Sequence, residues 1–147
     1  MQIVPIHDTL TTSAMPDDAL FARMAQEGYQ VVVSLAESID TRYRSDEDAV
    51  VTGLGMRYMH LPVDFIDPQV VDYELIRDVL NALFPRKVWL HCAQNMRASG
   101  MMYLYNMLER GMEPRTARVL MENIWKPDGA WEALFAAVME KHAGQYL

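Results

Sequence analysis

Apolar residues recur along the chain in two rhythms, a helical spacing of three to four positions and short unbroken runs, and their alternation predicts an α/β fold. Over 15–29, Leu20, Phe21 and Met24 fall at helical spacing behind the start signals Pro16 and Asp17, and Gly28 ends the pattern. The run QVVVSLA at 30–36 is β-branched with both faces apolar, which predicts a central strand covered on both sides. A polar loop follows and closes in a short helix over 46–54, ended by Gly53 and Gly55; residues 56–61 then form another strand, limited by Pro62. Val71, Leu75, Ile76, Val79, Leu80 and Leu83 mark a helix over 70–84 that Pro85 stops, and KVWLHC at 87–92 supplies a further buried strand.

The last third is helical. Residues 98–111 are apolar nearly all round until Glu109 and end at Gly111, as expected of a central helix packed on every side. Two more helices follow, over 114–125 and 129–142, while no element is assigned to 1–14. The β-helix-β order implies a mostly parallel central sheet of about four or five strands, flanked by helices.

Composition narrows the picture. At 147 residues, 51% hydrophobic and 22% charged, the chain is expected to form a single domain spanning 1–147. The net charge of −7 and the dispersal of its 13 basic residues argue against nucleic acid as a partner. One cysteine allows no internal disulfide, and no apolar run approaches the ~20 residues of a membrane span. A reducing cytoplasm and no membrane partner are expected. The twelve methionines are scattered and suit core packing, and with no Cys/His cluster at ligand spacing, neither a metal nor a cofactor is expected.

One loop concentrates the chemistry. In VWLHCAQNMRASG, residues 88–100, an apolar strand ends at His91, Cys92 opens a short loop, and a buried helix starts near Arg97 or Ala98. Ligands in such folds sit beyond the carboxyl ends of the strands. A strand-loop-helix turn points several backbone N–H groups into one concavity at the positive end of a helix dipole, which suits a dianion. The same field stabilises a thiolate, the form in which Cys92 is a nucleophile, and Arg97 offers the planar fork that phosphate oxygens favour. A lone cysteine is more often a small buried hydrophobe. The combination of strand, Cys, short loop, Arg, hydroxyl residue and helix is what points to function.

The segment HCAQNMRASG resembles the signature loop of cysteine-dependent tyrosine and dual-specificity phosphatases, H-C-x5-R-[S/T]. It is most similar to short bacterial phosphatase-like domains carrying H-C-A-x-N-x-R-A-S, allied to the phosphatase-like domain fused to some β-lactamase-like hydrolases. The likeness extends through LTTSAMP, GYQVVVSLA, YMHLPVDF and IWKPDGAW, so it covers most of the chain. It implies a dual-specificity phosphatase-like fold and attack by Cys92 on a phosphorylated substrate, protein or small molecule. The phosphate would lie in a cradle formed by Ala93, Gln94, Asn95, Met96, Arg97 and Ala98. His91 matches the histidine before the nucleophile, which orients the loop.

The loop departs from the family pattern in one respect: Arg97 lies five positions after Cys92 where the signature has six. In one alignment a loop residue is deleted and Arg97 is the phosphate-binding arginine, with a tighter loop close to that of rhodanese-type sulfurtransferases. In the other nothing is deleted: Asn95 takes the position of glycine, Ala98 that of arginine, and Ser99 and Gly100 those of the residues that follow. The Cys92-to-Ser99 spacing, the tolerance of Asn for left-handed backbone and the place of Gly100 favour the second.

Phosphoryl transfer to a thiol also needs an acid for the departing oxygen. In the resembled phosphatases an acid-bearing loop falls where HLPVDFIDP stands here, so Asp64 is the first choice and Asp67 the second. As solvated carboxylates they would instead shape a turn before Pro68. Ser99 would donate to the Cys92 sulfur or serve as an ordinary cap. His60 and His142 read as structural. The function expected is hydrolysis of a phosphate monoester through a phosphocysteine. The rivals are a catalytically silent phosphate or phosphoprotein binder and, with less support, a persulfide-carrying sulfurtransferase.

Overall fold

The structure, a computed structural model, describes residues 2–143. Its elements run β1 (Ile3–His7), β2 (Leu10–Ser13), α1 (Asp18–Gln26), β3 (Val31–Ser34), α2 (Glu47–Gly53), β4 (Arg57–His60), α3 (Val70–Leu83), β5 (Val88–His91), α4 (Met96–Leu108), α5 (Pro114–Glu122) and α6 (Gly129–His142). The fold is α/β, and its five strands lie in the order β1-β2-β5-β3-β4. The β1–β2 hairpin is antiparallel, and every other pairing is parallel.

β3 and β5 are largely apolar because helices cover both faces of the sheet. Alternation of side chains divides them cleanly: Val31, Val33, Val88 and Leu90 pack with residues of α3, α4 and α6, while Val32 and Trp89 pack with Phe21 and Met24 of α1 and Val51 of α2. The register has a consequence for the site. Ser13 and Ser34 both pair with His91, and Ser34 also pairs with His60, so four parallel strands end at one level. The loops that leave them converge on one edge.

Helix ends follow the local signals. Asp17 caps α1 by accepting from the Leu20 amide at 2.8 Å, and Asp128 caps α6 by accepting from Ala130 and Trp131. Gly28, past the end of α1, has φ +88°, which glycine adopts without strain. α4 is buried along ten of its thirteen residues, as its all-round apolar pattern implies.

The hairpin is the one part of the sheet that hydrophobic patterning does not show. β1 contains Pro5, tolerated because β1 is an edge strand, and β2 reads Leu-Thr-Thr-Ser yet is buried throughout. Its polar atoms find partners far along the chain: Trp89 Nε1 donates to Ser13 Oγ at 2.8 Å, and the Thr11 and Tyr29 hydroxyls meet at 2.7 Å.

Gly100 is needed for space. A Cβ there would lie 2.9 Å from two ring carbons of Trp131, which is fully buried and has no room to retreat. Gly→Ala inside a helix ordinarily stabilises by about 1 kcal/mol. Gly100→Ala is expected to do the opposite, lowering stability by about 1–3 kcal/mol in denaturant unfolding, as overpacking does.

Candidate active site

β5 ends at His91, and Cys92 follows as the floor of a cavity of about 370 Å³ over the convergent strand ends, walled by Glu37, Asp40, Arg42, Phe65, Ala93 and Arg97 among others. The Cys92 side chain is buried. The chain then turns sharply into α4 through Asn95, which has φ 65° and is the only non-glycine residue with positive φ among the described residues. Asn accepts this left-handed backbone at low cost. The first hydrogen bond of α4 is from the Ser99 amide to the Asn95 carbonyl at 3.0 Å, so the amides of the preceding turn lie outside the intrahelical ladder at its positive end.

Asn95 thus has the backbone that the undeleted alignment asks of the glycine position. Ala98, which that alignment puts at the arginine position, is fully buried in the core, and Arg97 supplies the guanidinium beside the cavity.

Arg97 is 4% exposed and heavily engaged. Its Nη1 donates to Glu37 Oε1 at 3.3 Å and to the Val63 carbonyl at 3.0 Å, and its Nη2 donates to Asp40 Oδ2 at 2.6 Å. Both carboxylates have second duties. Glu37 accepts from the Phe65 amide at 3.2 Å, and Asp40 accepts from the Glu37 amide at 2.8 Å. One guanidinium therefore joins the loop after β3, the loop after β4 and the start of α4. Its Nε has no hydrogen-bond partner among the described residues and remains an uncommitted donor.

Beneath the loop lies a buried hydrogen-bonded pair. His91 Nε2 and Glu47 Oε2 are hydrogen-bonded with neither side chain exposed, and His91 Nδ1 lies 3.2 Å from the Cys92 carbonyl. Both ring nitrogens are thus committed to holding the loop. Glu47 sits at the start of α2, where the helix dipole favours a carboxylate. Burial, and next the nearby Glu47 charge, push the Tyr58 phenol up, so it stays neutral.

The remaining sequence candidates fall elsewhere. Asp64 and Asp67 are exposed; Asp64 Oδ1 accepts from the Ile66 amide at 2.9 Å and the Asp67 amide at 3.3 Å, the turn-forming arrangement open to a loop aspartate. The loop presents Phe65 and Ile66, not these carboxylates, to the cavity wall. Ser99 makes neither contact expected of it: its hydroxyl donates to the Met96 carbonyl at 3.0 Å, and it lines a separate cavity beside Pro5 and Thr12. The reason is rotational, since Arg97 and Ser99 lie two positions apart on α4 and face different sides. His60 approaches the Ala36 carbonyl at 2.6 Å and His142 pairs with Glu74, both structural contacts.

Sequence reading missed Glu37, Asp40 and Glu47, each an ordinary acidic residue of a polar loop or helix start. Among the described residues, no three His, Cys, Asp or Glu side chains are grouped to hold a metal, and no helix is long and apolar enough to cross a membrane.

No family model matches the sequence, and no curated protein matches it. Solved structures do. Tk-PTP in its active form superposes with a TM-score of 0.79 at 20% identity, over 95% of this chain and 97% of that one. PTPMT1 in complex with PI(5)P gives 0.78 at 14% identity over 99% of each. These two show the fold. A DUF442 candidate phosphatase from Shewanella putrefaciens CN-32 gives 0.84 at 30% identity, over 95% of this chain and 92% of that one. With the left-handed turn behind a buried cysteine and an arginine at the helix start, that identity across nearly the whole length places the chain in the DUF442 family of tyrosine and dual-specificity phosphatase-like proteins.

Proposed function

We propose that this protein hydrolyses phosphate monoesters through a covalent phosphocysteine, with a phosphorylated protein or small molecule as substrate. The observation that carries the reading is the placement of Cys92 on the floor of a cavity at the positive end of α4, with Arg97 on the wall. In the first step the Cys92 sulfur bonds to phosphorus as the P–O bond to the leaving group breaks. The departing oxygen takes a proton from Asp64. In the second, water attacks phosphorus, its proton passes to Asp64, and the P–S bond breaks to release inorganic phosphate and the thiolate.

The backbone amides from Ala93 to Ala98 and the uncommitted Arg97 Nε are the donors for the equatorial oxygens, whose charge rises in the transition state. Asp64 belongs to the loop that supplies Phe65 and Ile66 to the wall, which is what supports it as the acid over any carboxylate more distant. Glu37 and Asp40 line the cavity but are engaged by Arg97. Such a thiol requires a reducing compartment, and we place the protein in the cytoplasm.

A second reading, a catalytically silent phosphate binder, is favoured by the same two carboxylates, which compete with substrate for the guanidinium. Turnover of an aryl phosphate such as p-nitrophenyl phosphate separates the two. Wild type is expected to turn over, and Cys92→Ser to abolish turnover while retaining vanadate binding. Vanadate binding without turnover in the wild type establishes the silent binder instead, and turnover that persists in Cys92→Ser rules out the covalent route.

The acid is tested by varying the leaving group. Protonation matters in proportion to the basicity of the leaving oxygen, so Asp64→Asn is expected to slow unactivated phenyl or alkyl esters by about 10²- to 10⁴-fold and to spare esters of very acidic phenols. Should Asp67→Asn show that pattern and Asp64→Asn not, Asp67 is the acid. Neither variant showing it removes this loop from the mechanism.

A further inference from the structure

Resting on the phosphate-site reading above, we infer that Arg42 is a second phosphate-binding arginine, reaching the substrate from the loop after β3 and supplying the charge that Arg97 has already committed. Four ionic side chains line the Cys92 cavity: Glu37, Asp40, Arg42 and Arg97. Arg97 is paired with both carboxylates, so that trio carries one net negative charge before any ligand arrives. A phosphate monoester brings about two more at neutral pH. The half-charge of a helix N-terminus does not balance this. Arg42 is the one remaining cation on the wall.

The loop is built so that this arginine alone is unspent. Asp40 N bonds the Glu37 carbonyl and Tyr43 N bonds the Asp40 carbonyl, each at 3.0 Å, so two successive turns carry the chain past the cavity. Residues on either side of Arg42 are anchored. Asp40 is held by Arg97, and the Tyr43 ring lies 5.8 Å from that of His60. Arg44 pairs with Asp18 at 2.6 Å and Asp46 at 3.0 Å and covers Phe21. The Arg42 guanidinium, in contrast, has no ion pair or hydrogen bond among the described residues and is exposed on the wall shared by the Cys92 cavity and its neighbour beside α1. The acidic residues of that neighbouring cavity are occupied, Asp17 by the α1 cap and Asp18 by Arg44. Two fixed turns thus present a solvated, unpaired guanidinium at the mouth of an anion site that lacks positive charge.

The test uses the full chain and reads the site without requiring turnover. Iodoacetate alkylates Cys92, and inorganic phosphate or vanadate that occupies the cavity slows it. Arg42→Gln is expected to raise the vanadate concentration for half-protection about ten-fold or more, the worth of a lost charge-assisted hydrogen bond. Arg42→Lys should recover part of the loss. Arg115→Gln, which removes the same charge from α5 outside the cavity, should change nothing. With p-nitrophenyl phosphate the loss should fall on KM more than on kcat. Because Arg42 is exposed and unpaired, the variants are expected to keep the wild-type Tm. Half-protection by Arg42→Gln equal to that of Arg115→Gln overturns the proposal while leaving the phosphate site intact, with Arg97 alone as its cation. Absence of protection in the wild type overturns both this proposal and the phosphate site itself.

Discussion

A guanidinium buried beside two carboxylates organises this molecule's functional edge. Arg97 reaches Glu37, Asp40 and the Val63 carbonyl, and so fastens to the start of α4 two loops that backbone hydrogen bonds tether at their roots, through Leu35, Leu61 and Val63. A buried charge is stable only when paired and hydrogen-bonded, and Arg is suited to the task because its donors are fixed in a planar fork. Parallel strands that end at one level bring the three segments within reach, and the ion pairs then hold them there.

The same arrangement constrains the chemistry. A guanidinium that structures the loops is a weaker partner for phosphate, because any ligand competes with carboxylates already in contact. The loop amides and the α4 dipole are free of that competition, since the backbone contributes them whatever the side chains do. His91 and Glu47 act from below, where a fully buried pair holds the Cys92 carbonyl without taking part in the cavity wall. Arg97 thus both ties the loops together and faces the cavity, whereas His91 and Glu47 serve the loop alone.

Much of the architecture is legible in local patterns. The strands β3, β4 and β5, the cap at Asp17, the stop at Gly28 and the all-round burial of α4 follow from periodicity and turn chemistry over a few residues. The β1–β2 hairpin is not legible, because Leu-Thr-Thr-Ser has the composition of a loop and becomes a strand interior only when Trp89 and Tyr29 meet its hydroxyls. In the cysteine loop, Asn95 announces the left-handed turn that leads into α4. The acid loop is less well read: its carboxylates look like the chemistry, yet Phe65 and Ile66 face the cavity.

From the chain alone came the elements after residue 14, their order, the parallel sheet that order requires, and the position of the thiol between a strand and a helix. Each rests on interactions within one turn or one strand, where the partners are sequence neighbours. Tertiary structure alone decided which charges meet. Arg97 and Glu37 are 60 positions apart and His91 and Glu47 are 44, so no window of sequence contains both members of either pair. Electrostatics acts through space, and a side chain's partner is set by strand order and register, so the same acidic loop reads as solvated polarity in the sequence and becomes the wall of the site in the fold.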